Sequence, residues 1–304
     1  MDILYMFESI RKPVLDELML FITHFGEETF FLIAALIVFW CVDKYKGYYL
    51  LTVGFVGTIL SQFMKLWFCV PRPWVQDENF TIVEEARAEA TGYSFPSGHS
   101  QNAVGTFGSI AVSIKQKWIK VIAICIAILV PLSRMYLGVH TPQDVLVGSA
   151  LSLGLILLFK PLLGDNAKKY LTILLPCMTV LAIAYLCFVK LYRFPVDIDA
   201  DNLASGIKNA YTLLGCIFGF LVVFIIDEKW LYFKTDAVWW AQIIKLVLGF
   251  LLVLCVKSGL KQPLELVFGE YAGRAVRYGL MVIVAGILWP LTFKWFSSLG
   301  KKEW

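Results

Sequence analysis

The chain has 304 residues, of which 59% are hydrophobic and only 16% charged. Ordinary soluble domains carry about 25% charged residues, so this composition excludes a water-exposed globular protein. The net charge of +4 is small and its lysines and arginines are scattered, which leaves no basic patch for nucleic acid.

The chain opens with an amphipathic pattern. Ile3, Phe7, Ile10, Val14, Leu18 and Phe21 recur at steps of three and four, with Glu8, Arg11, Asp16 and Glu17 between them. Such a stripe predicts an interfacial segment over 1–27, broken near Pro13. No compact apolar stretch with a small-residue cleavage site occurs in it, so a removable signal peptide is not expected. Apolar blocks follow at 28–43, 48–70, 98–115, 118–136, 142–161, 170–190, 208–226, 237–256 and 275–297. Each approaches the length of helix needed to cross roughly 30 Å of hydrocarbon. The fold expected is therefore an all-α polytopic transmembrane bundle of about eight to nine spans behind an N-terminal amphipathic helix.

Charge placement suggests an orientation. Leaving aside Lys65, Arg72, Arg134 and Lys245, the bias is weak over the whole chain, thirteen cations against ten. It is clear over residues 28–170, where Lys44, Lys46, Lys115, Lys117, Lys120, Lys160, Lys168 and Lys169 fall on one side against Arg87 on the other. Together with Lys301 and Lys302, this predicts an outside N-terminus and an inside C-terminus. The seven cysteines lie in or beside apolar blocks with no C-x-x-C pair, and they read as small packing residues.

Polar residues at membrane depth are costly unless paired or hydrated, and three clusters of them stand out. Lys65, six intervening residues and Arg72-Pro73 end the second block. Pro96-Ser97-Gly98-His99 opens the third. Ser133-Arg134, five residues, His140, three residues and Asp144 join the fourth to the fifth. Two crossings separate the first cluster from the last, so all three share one membrane face. Taken singly, each residue has a structural reading. Thr141-Pro142-Gln143-Asp144 forms a capping box, Ser97 is an N-cap, and Lys65 and Arg72 suit interfacial anchors.

In order and spacing, the three clusters resemble the signature of the type-2 phosphatidic acid phosphatase superfamily, which includes bacterial lipid phosphatases and glucose-6-phosphatase. The resemblance implies that His140 attacks phosphorus to form phosphohistidine. It also implies that Asp144 supports the His140 ring and that His99 protonates the leaving oxygen. Lys65, Arg72, Ser97, Gly98 and Arg134 would bind phosphate, with no metal or other cofactor needed because cations do the charge work. The matching region defines a core over 28–165, followed by additional helices over 166–304 that look more like the glucose-6-phosphatase arrangement.

The expected function is hydrolysis of a lipid phosphate monoester or polyprenyl pyrophosphate at the outer face of the plasma membrane, with the bilayer and a phosphorylated lipid as partners. A soluble sugar-phosphate phosphatase, a lipid phosphotransferase and a transporter or scaffold with an idle pocket are the alternatives. Oligomeric state is not legible. Outside the clusters, His24 reads as structural and Lys245 as a snorkelling cation. The acidic stretch Trp74 to Phe95 reads as a solvated loop or a lid, with Trp74 and Tyr93 as headgroup braces or interfacial anchors. Gly105-x-x-Gly108 reads as a helix-packing motif.

Overall fold

In the computed structural model, which describes residues 1–196 and 198–299, every apolar block is helical. In chain order the helices are α1 (Asp2–Ser9), α2 (Pro13–Thr23), α3 (Glu28–Ile37), α4 (Lys44–Phe68), α5 (Pro73–Gln76), α6 (Gly98–Ser113) and α7 (Lys117–Tyr136). They continue as α8 (Pro142–Leu158), α9 (Ala167–Leu191), α10 (Ala200–Ile226), α11 (Trp239–Gly259), α12 (Lys261–Ile283) and α13 (Phe293–Ser298). Among the described residues there is no strand. Lys301 and Lys302, used in the charge count, lie outside the described residues.

Six helical stretches are long and apolar enough to cross a membrane: Lys44–Gln76, Lys117–Tyr136, Ala167–Leu191, Ala200–Leu231, Trp239–Gly259 and Lys261–Ser298. A seventh is reached if the pair Pro13–Gly26 and Glu28–Val42, bent by 54°, counts as one span. The other two blocks give shorter helices. Pro142–Leu158 is apolar but short. α6 has 16 residues and buries Ser100, Gln101, Asn102, Thr106 and Ser109, so its surroundings are protein on most sides.

The chain divides into two compact units. The first comprises residues 1–35, 49–164 and 194–206 and contains all three polar clusters. Its centre is α6, flanked by α7 and α8. Close approach to α8 depends on small residues: a Cβ at Gly108 would lie 2.6 Å from Ile156 Cδ1, and one at Gly148 would lie 2.5 Å from the Ser97 carbonyl. The N-terminal segment is apolar on two sides. Leu4, Phe7, Leu15, Met19 and Leu20 pack inward, while Ile3, Ile10, Val14, Leu18 and Phe21 face outward and are exposed. The chain breaks just before Pro13, which takes the first position of α2, where its missing N–H costs nothing.

The second unit comprises residues 36–48, 165–193 and 207–304, described to 299. Three wide-pitch helical turns occur in it, at Val38–Val42, Asp227–Leu231 and Val284–Leu288. Several of its charged side chains are paired with protein partners. Lys44 Nζ meets Asp227 Oδ2 at 2.6 Å and Lys168 Nζ meets Glu228 Oε2 at 2.8 Å. Lys245 does not snorkel: it is fully buried, donates to the carbonyls of Trp40 (2.8 Å) and Thr235 (3.1 Å), and lies 4.3 Å from the Phe293 ring centroid. Carbonyl dipoles and the ring face supply the stabilisation that water would give.

Candidate functional site

The three polar clusters meet in the first unit, and local sequence explains how each is presented. Lys65 closes the last turn of α4. Arg72 is the N-cap of the short α5, which Pro73 starts. Ser97 caps α6, its Oγ accepting from the Ser100 N–H at 3.3 Å. Thr141 and Asp144 form a reciprocal capping box at α8, so the carboxylate is fixed before any other role is asked of it. Between α7 and α8 the chain turns at Gly138, whose φ of +82° suits glycine. A Cβ there would also crowd Arg11 Nη2 at 2.7 Å.

Arg72 organises the site. Its Nε donates to the Gly92 carbonyl (3.0 Å), Nη2 to the Thr91 carbonyl (2.7 Å) and Nη1 to the Val139 carbonyl (3.0 Å). Nη1 also lies 2.9 Å from His140 Nε2. A guanidinium only donates, so Nε2 carries the ring's lone pair and Nδ1 carries its proton. That proton faces Asp144 Oδ2 at 3.5 Å and Ser94 Oγ at 3.4 Å. Asp144 Oδ2 in turn accepts from Ser94 Oγ–H (2.6 Å) and the Thr141 N–H (2.8 Å). The basic nitrogen of His140 therefore points at cations, and the carboxylate sits behind the ring.

The remaining cations are buried with little counter-charge. Lys65 Nζ donates to the Tyr93 carbonyl. Arg134 is fully buried and donates from Nη1 to Thr23 Oγ1 at 2.8 Å. Among the described residues, Arg134 Nε and Nη2 and His99 Nε2 are buried without a hydrogen-bond partner. Unpaired buried polar atoms cost stability, and here three of them belong to two residues of one site. The charges of Arg134, Arg72 and Lys65 act on both imidazoles, and His140 acts on His99. The two rings thus share one electrostatic environment. Burial, followed by the charges of Arg72, Arg134 and Lys65, holds the His140 imidazole well below its ordinary value. These influences favour the neutral ring, whose Nε2 lone pair accepts from Arg72 Nη1.

The start of α6 adds backbone donors at the positive end of a helix. The Ser97 N–H donates to the Asp144 carbonyl at 3.0 Å, tying this turn to α8. A Cβ built on Gly98 would meet nothing within 4 Å, so the surface above this turn is open to an anion. Ser97 Oγ is engaged with Ser100, whose Oγ–H donates to it at 2.9 Å. Among the described residues no group of three or more His, Cys, Asp or Glu is placed to hold a metal ion.

Several contributors carry no signal in the motif spacing. Ser94 and Thr23 are buried hydroxyls that position Asp144 and Arg134. The carbonyls of Thr91, Gly92 and Tyr93 hold two of the cations. The stretch from Trp74 to Phe95 is fastened in place. Val83, Ala86 and Ala90 pack on Tyr136, Leu137 and Val139, and Arg11 Nη1 donates to the Thr81 carbonyl at 2.8 Å. His24 is exposed and pairs with Glu27.

Comparison with known proteins gives two family matches. A family model described as "PAP2 superfamily" matches residues 45–168, and one described as "PAP2 superfamily phosphatase, transmembrane extension" matches residues 211–302. Phosphatidylglycerophosphatase B of Bacillus subtilis is 37% identical over 163 residues, covering 49% of this chain and 75% of that protein. An undecaprenyl-diphosphatase of Sulfolobus acidocaldarius is 31% identical, covering 44% and 64%. Human sphingosine-1-phosphate phosphatase 2 is 26% identical, covering 60% and 47%. Among solved structures, the crystal structure of a transmembrane PAP2 type phosphatidylglycerolphosphate phosphatase from Bacillus subtilis matches with 35% identity. It covers 52% of this chain and 81% of that one, with a TM-score of 0.44.

Proposed function

The chain belongs to the PAP2 superfamily, and from that premise we propose that it is a membrane phosphatase acting on a phosphorylated lipid through His140. The observation that carries the reading is the contact between Arg72 Nη1 and His140 Nε2, with Asp144 behind the ring. It aims a neutral nucleophile into a cluster of cations.

Entry of a phosphate would give Arg72, Lys65 and the unpartnered Arg134 donors an anion to neutralise. The His140 Nε2 lone pair then forms an N–P bond as the P–O ester bond breaks, and Arg72 and Arg134 stabilise charge on the equatorial oxygens. A substrate entering as the phosphate monoanion passes its proton to His99, and the leaving oxygen then takes that proton, releasing the alcohol. Water next attacks phosphorus and gives its proton to His99, and the N–P bond breaks to restore His140 and release inorganic phosphate. Asp144 holds Nδ1–H throughout and stabilises the positive ring that forms. Ser97 fixes the α6 turn, and Gly98 leaves its N–H groups accessible.

The reading extends to the bilayer. The exposed stripe Ile3, Ile10, Val14, Leu18 and Phe21 suits an interfacial helix. Crossings by α6 and α8 alongside the longer helices raise the count to eight or nine. The lysine bias supports a site at the outer face, and a lipid substrate suits a plasma-membrane location. Relatives named for phosphatidylglycerophosphate, undecaprenyl diphosphate and sphingosine 1-phosphate support a lipid substrate. The test is a rapid quench of purified enzyme with phosphate-labelled lipid. Label should be retained in an acid-labile bond to His140 and should be absent from His140→Ala. Turnover without labelled protein at any quench time would refute the covalent route.

A further inference from the structure

Residues 194–206 fall between the two family-matched regions, yet they fold into the same unit as the motif loops. The Asp199 N–H donates to Tyr93 Oη at 3.1 Å, and Asp199 Oδ1 accepts from the Asn202 N–H at 2.7 Å, capping the start of α10. A cavity of about 390 Å³ opens between these residues and the motif loops. Arg72 and Tyr93 line one side, and Ile198, Asp199 and Asn202 line the other.

Resting on the phosphatase reading above, we infer that this cavity receives the alcohol portion of the substrate next to its phosphate, and that Asp199 and Asn202 select alcohols bearing a hydroxyl or ammonium group near the ester. Geometry supplies the link: Arg72 lines the cavity and touches the His140 ring. A phosphate held by that guanidinium would lie at the rim of the cavity, with room there for the alcohol it carries. The volume is ample for a headgroup of a few carbons. Polarity supplies the selection. A carboxylate and an amide oxygen accept hydrogen bonds, so they reward a donor-bearing alcohol. The same carboxylate repels a second phosphate, which disfavours diphosphates. Ile198 offers an apolar surface for the first carbons of the chain.

Asp199 also caps a helix, so its removal risks a structural effect. Asp199→Asn avoids this because asparagine caps as well as aspartate while removing the charge. The experiment measures kcat/KM in detergent micelles for three lipids: a sphingoid-base 1-phosphate, which carries an ammonium and a hydroxyl; a phosphatidate, whose alcohol has no donor; and a polyprenyl diphosphate. For Asp199→Asn the ratio of the sphingoid to the phosphatidate value should fall about tenfold, the scale of one hydrogen bond to a charged group, chiefly through KM. The polyprenyl diphosphate should gain relative to phosphatidate. Asn202→Ala should lower the sphingoid ratio in the same direction by a smaller factor. A glycerol-type phosphate with a free hydroxyl, run as a fourth arm, separates the hydroxyl contribution from that of the ammonium. Unchanged ratios in both variants would overturn the selection proposed here while leaving the phosphatase reading intact. An unsubstituted enzyme that releases phosphate from none of these lipids would overturn that reading, and this inference with it.

Discussion

Both units of this protein bury lysines or arginines, and they do so in opposite ways. In the second unit Lys44 is closed on Asp227 and the buried Lys245 on two carbonyls and a ring, and the exposed Lys168 reaches Glu228. The buried Arg277 has Glu265 at 3.7 Å, although its Nε is unpartnered among the described residues. Tyr45 Oη–H completes the set by donating to Glu228 at 2.7 Å. In the first unit Lys65, Arg72 and Arg134 face carbonyls, hydroxyls and imidazoles, and their one nearby buried carboxylate, Asp144, is turned to Ser94 and Thr141. Buried charge without counter-charge is strongly unfavourable. A fold keeps it when an anion arrives to complete it, so the first arrangement reads as a binding site and the second as architecture.

The sharpest way to break that contrast is to remove the proposed nucleophile. His140→Ala should lower turnover by at least about 10⁴-fold, as expected when one member of a catalytic set is deleted. His24→Ala removes an exposed ring of the same chemistry, paired with Glu27, and should leave phosphate release within twofold. Comparable losses in both would show that histidine replacement acts through folding. Next in size is Arg134→Ala. Two of its nitrogens have no protein partner, so their function depends on substrate, and kcat should fall about 10²- to 10³-fold, the usual consequence of losing one charge-stabilising donor. Thermal stability should hold or rise, because an uncompensated buried charge has gone. A large loss of stability would place Arg134 among the architectural cations instead.

How far the sequence revealed this division can be traced residue by residue. Lys65, Arg72, His99, His140 and Asp144 were legible because side-chain chemistry at fixed spacing leaves a recognisable pattern, and the structure brings Arg72, His140 and Asp144 into contact. The carbonyls of Thr91, Gly92 and Tyr93 were not legible, since any residue type supplies one. Ser94 and Thr23 were missed because a hydroxyl gains its role only from a partner 50 or 111 residues away in sequence. Residues 194–206 carry no motif and enter the first unit only through tertiary folding. The nine helical blocks were visible in the apolar runs. The polar interior of α6 and the shortness of α8 separate them from the longer helices, and hydropathy blocks alone blurred that distinction.

A smaller effect sharpens the description of the catalytic set. Ser94 donates to Asp144 Oδ2 and sits 3.4 Å from His140 Nδ1; it touches no reacting atom and is a positioning residue. Ser94→Ala should lower kcat about tenfold with little change in KM, and Ser94→Thr should restore most of it. An effect on KM alone would instead tie Ser94 to substrate binding. Smaller still is a change in proton affinity without chemistry. In the empty enzyme the His140 imidazole is held below its ordinary value by burial and three cations, so nitrogen NMR should find it neutral at pH 6.5. A saturating phosphate analogue supplies negative charge beside the same ring and should raise its pKa. A ring that titrates normally in both states would mean that these cations do not face it.

The second unit gives the last test, and there activity should scarcely move. Asp227→Asn leaves Lys44 with a neutral partner where it had a carboxylate at 2.6 Å, while Asp227 itself is fully buried. Deleting one partner of a buried pair costs roughly 3–5 kcal/mol. Here Glu228 Oε1, 3.8 Å from Lys44, takes up part of the lost interaction, which puts the expected loss at the lower end of that range. The midpoint of thermal inactivation should therefore drop by several degrees, with kcat per folded molecule unchanged. Replacing both partners by Lys44→Met with Asp227→Leu should recover much of the stability, because an apolar pair leaves no buried charge behind. No comparable rescue is expected at Arg134, whose proposed partner is the substrate. If the double replacement in the second unit instead lowered kcat, the Lys44–Asp227 pair would have to be counted with the machinery of turnover, and the distinction between closed and open cations would fail.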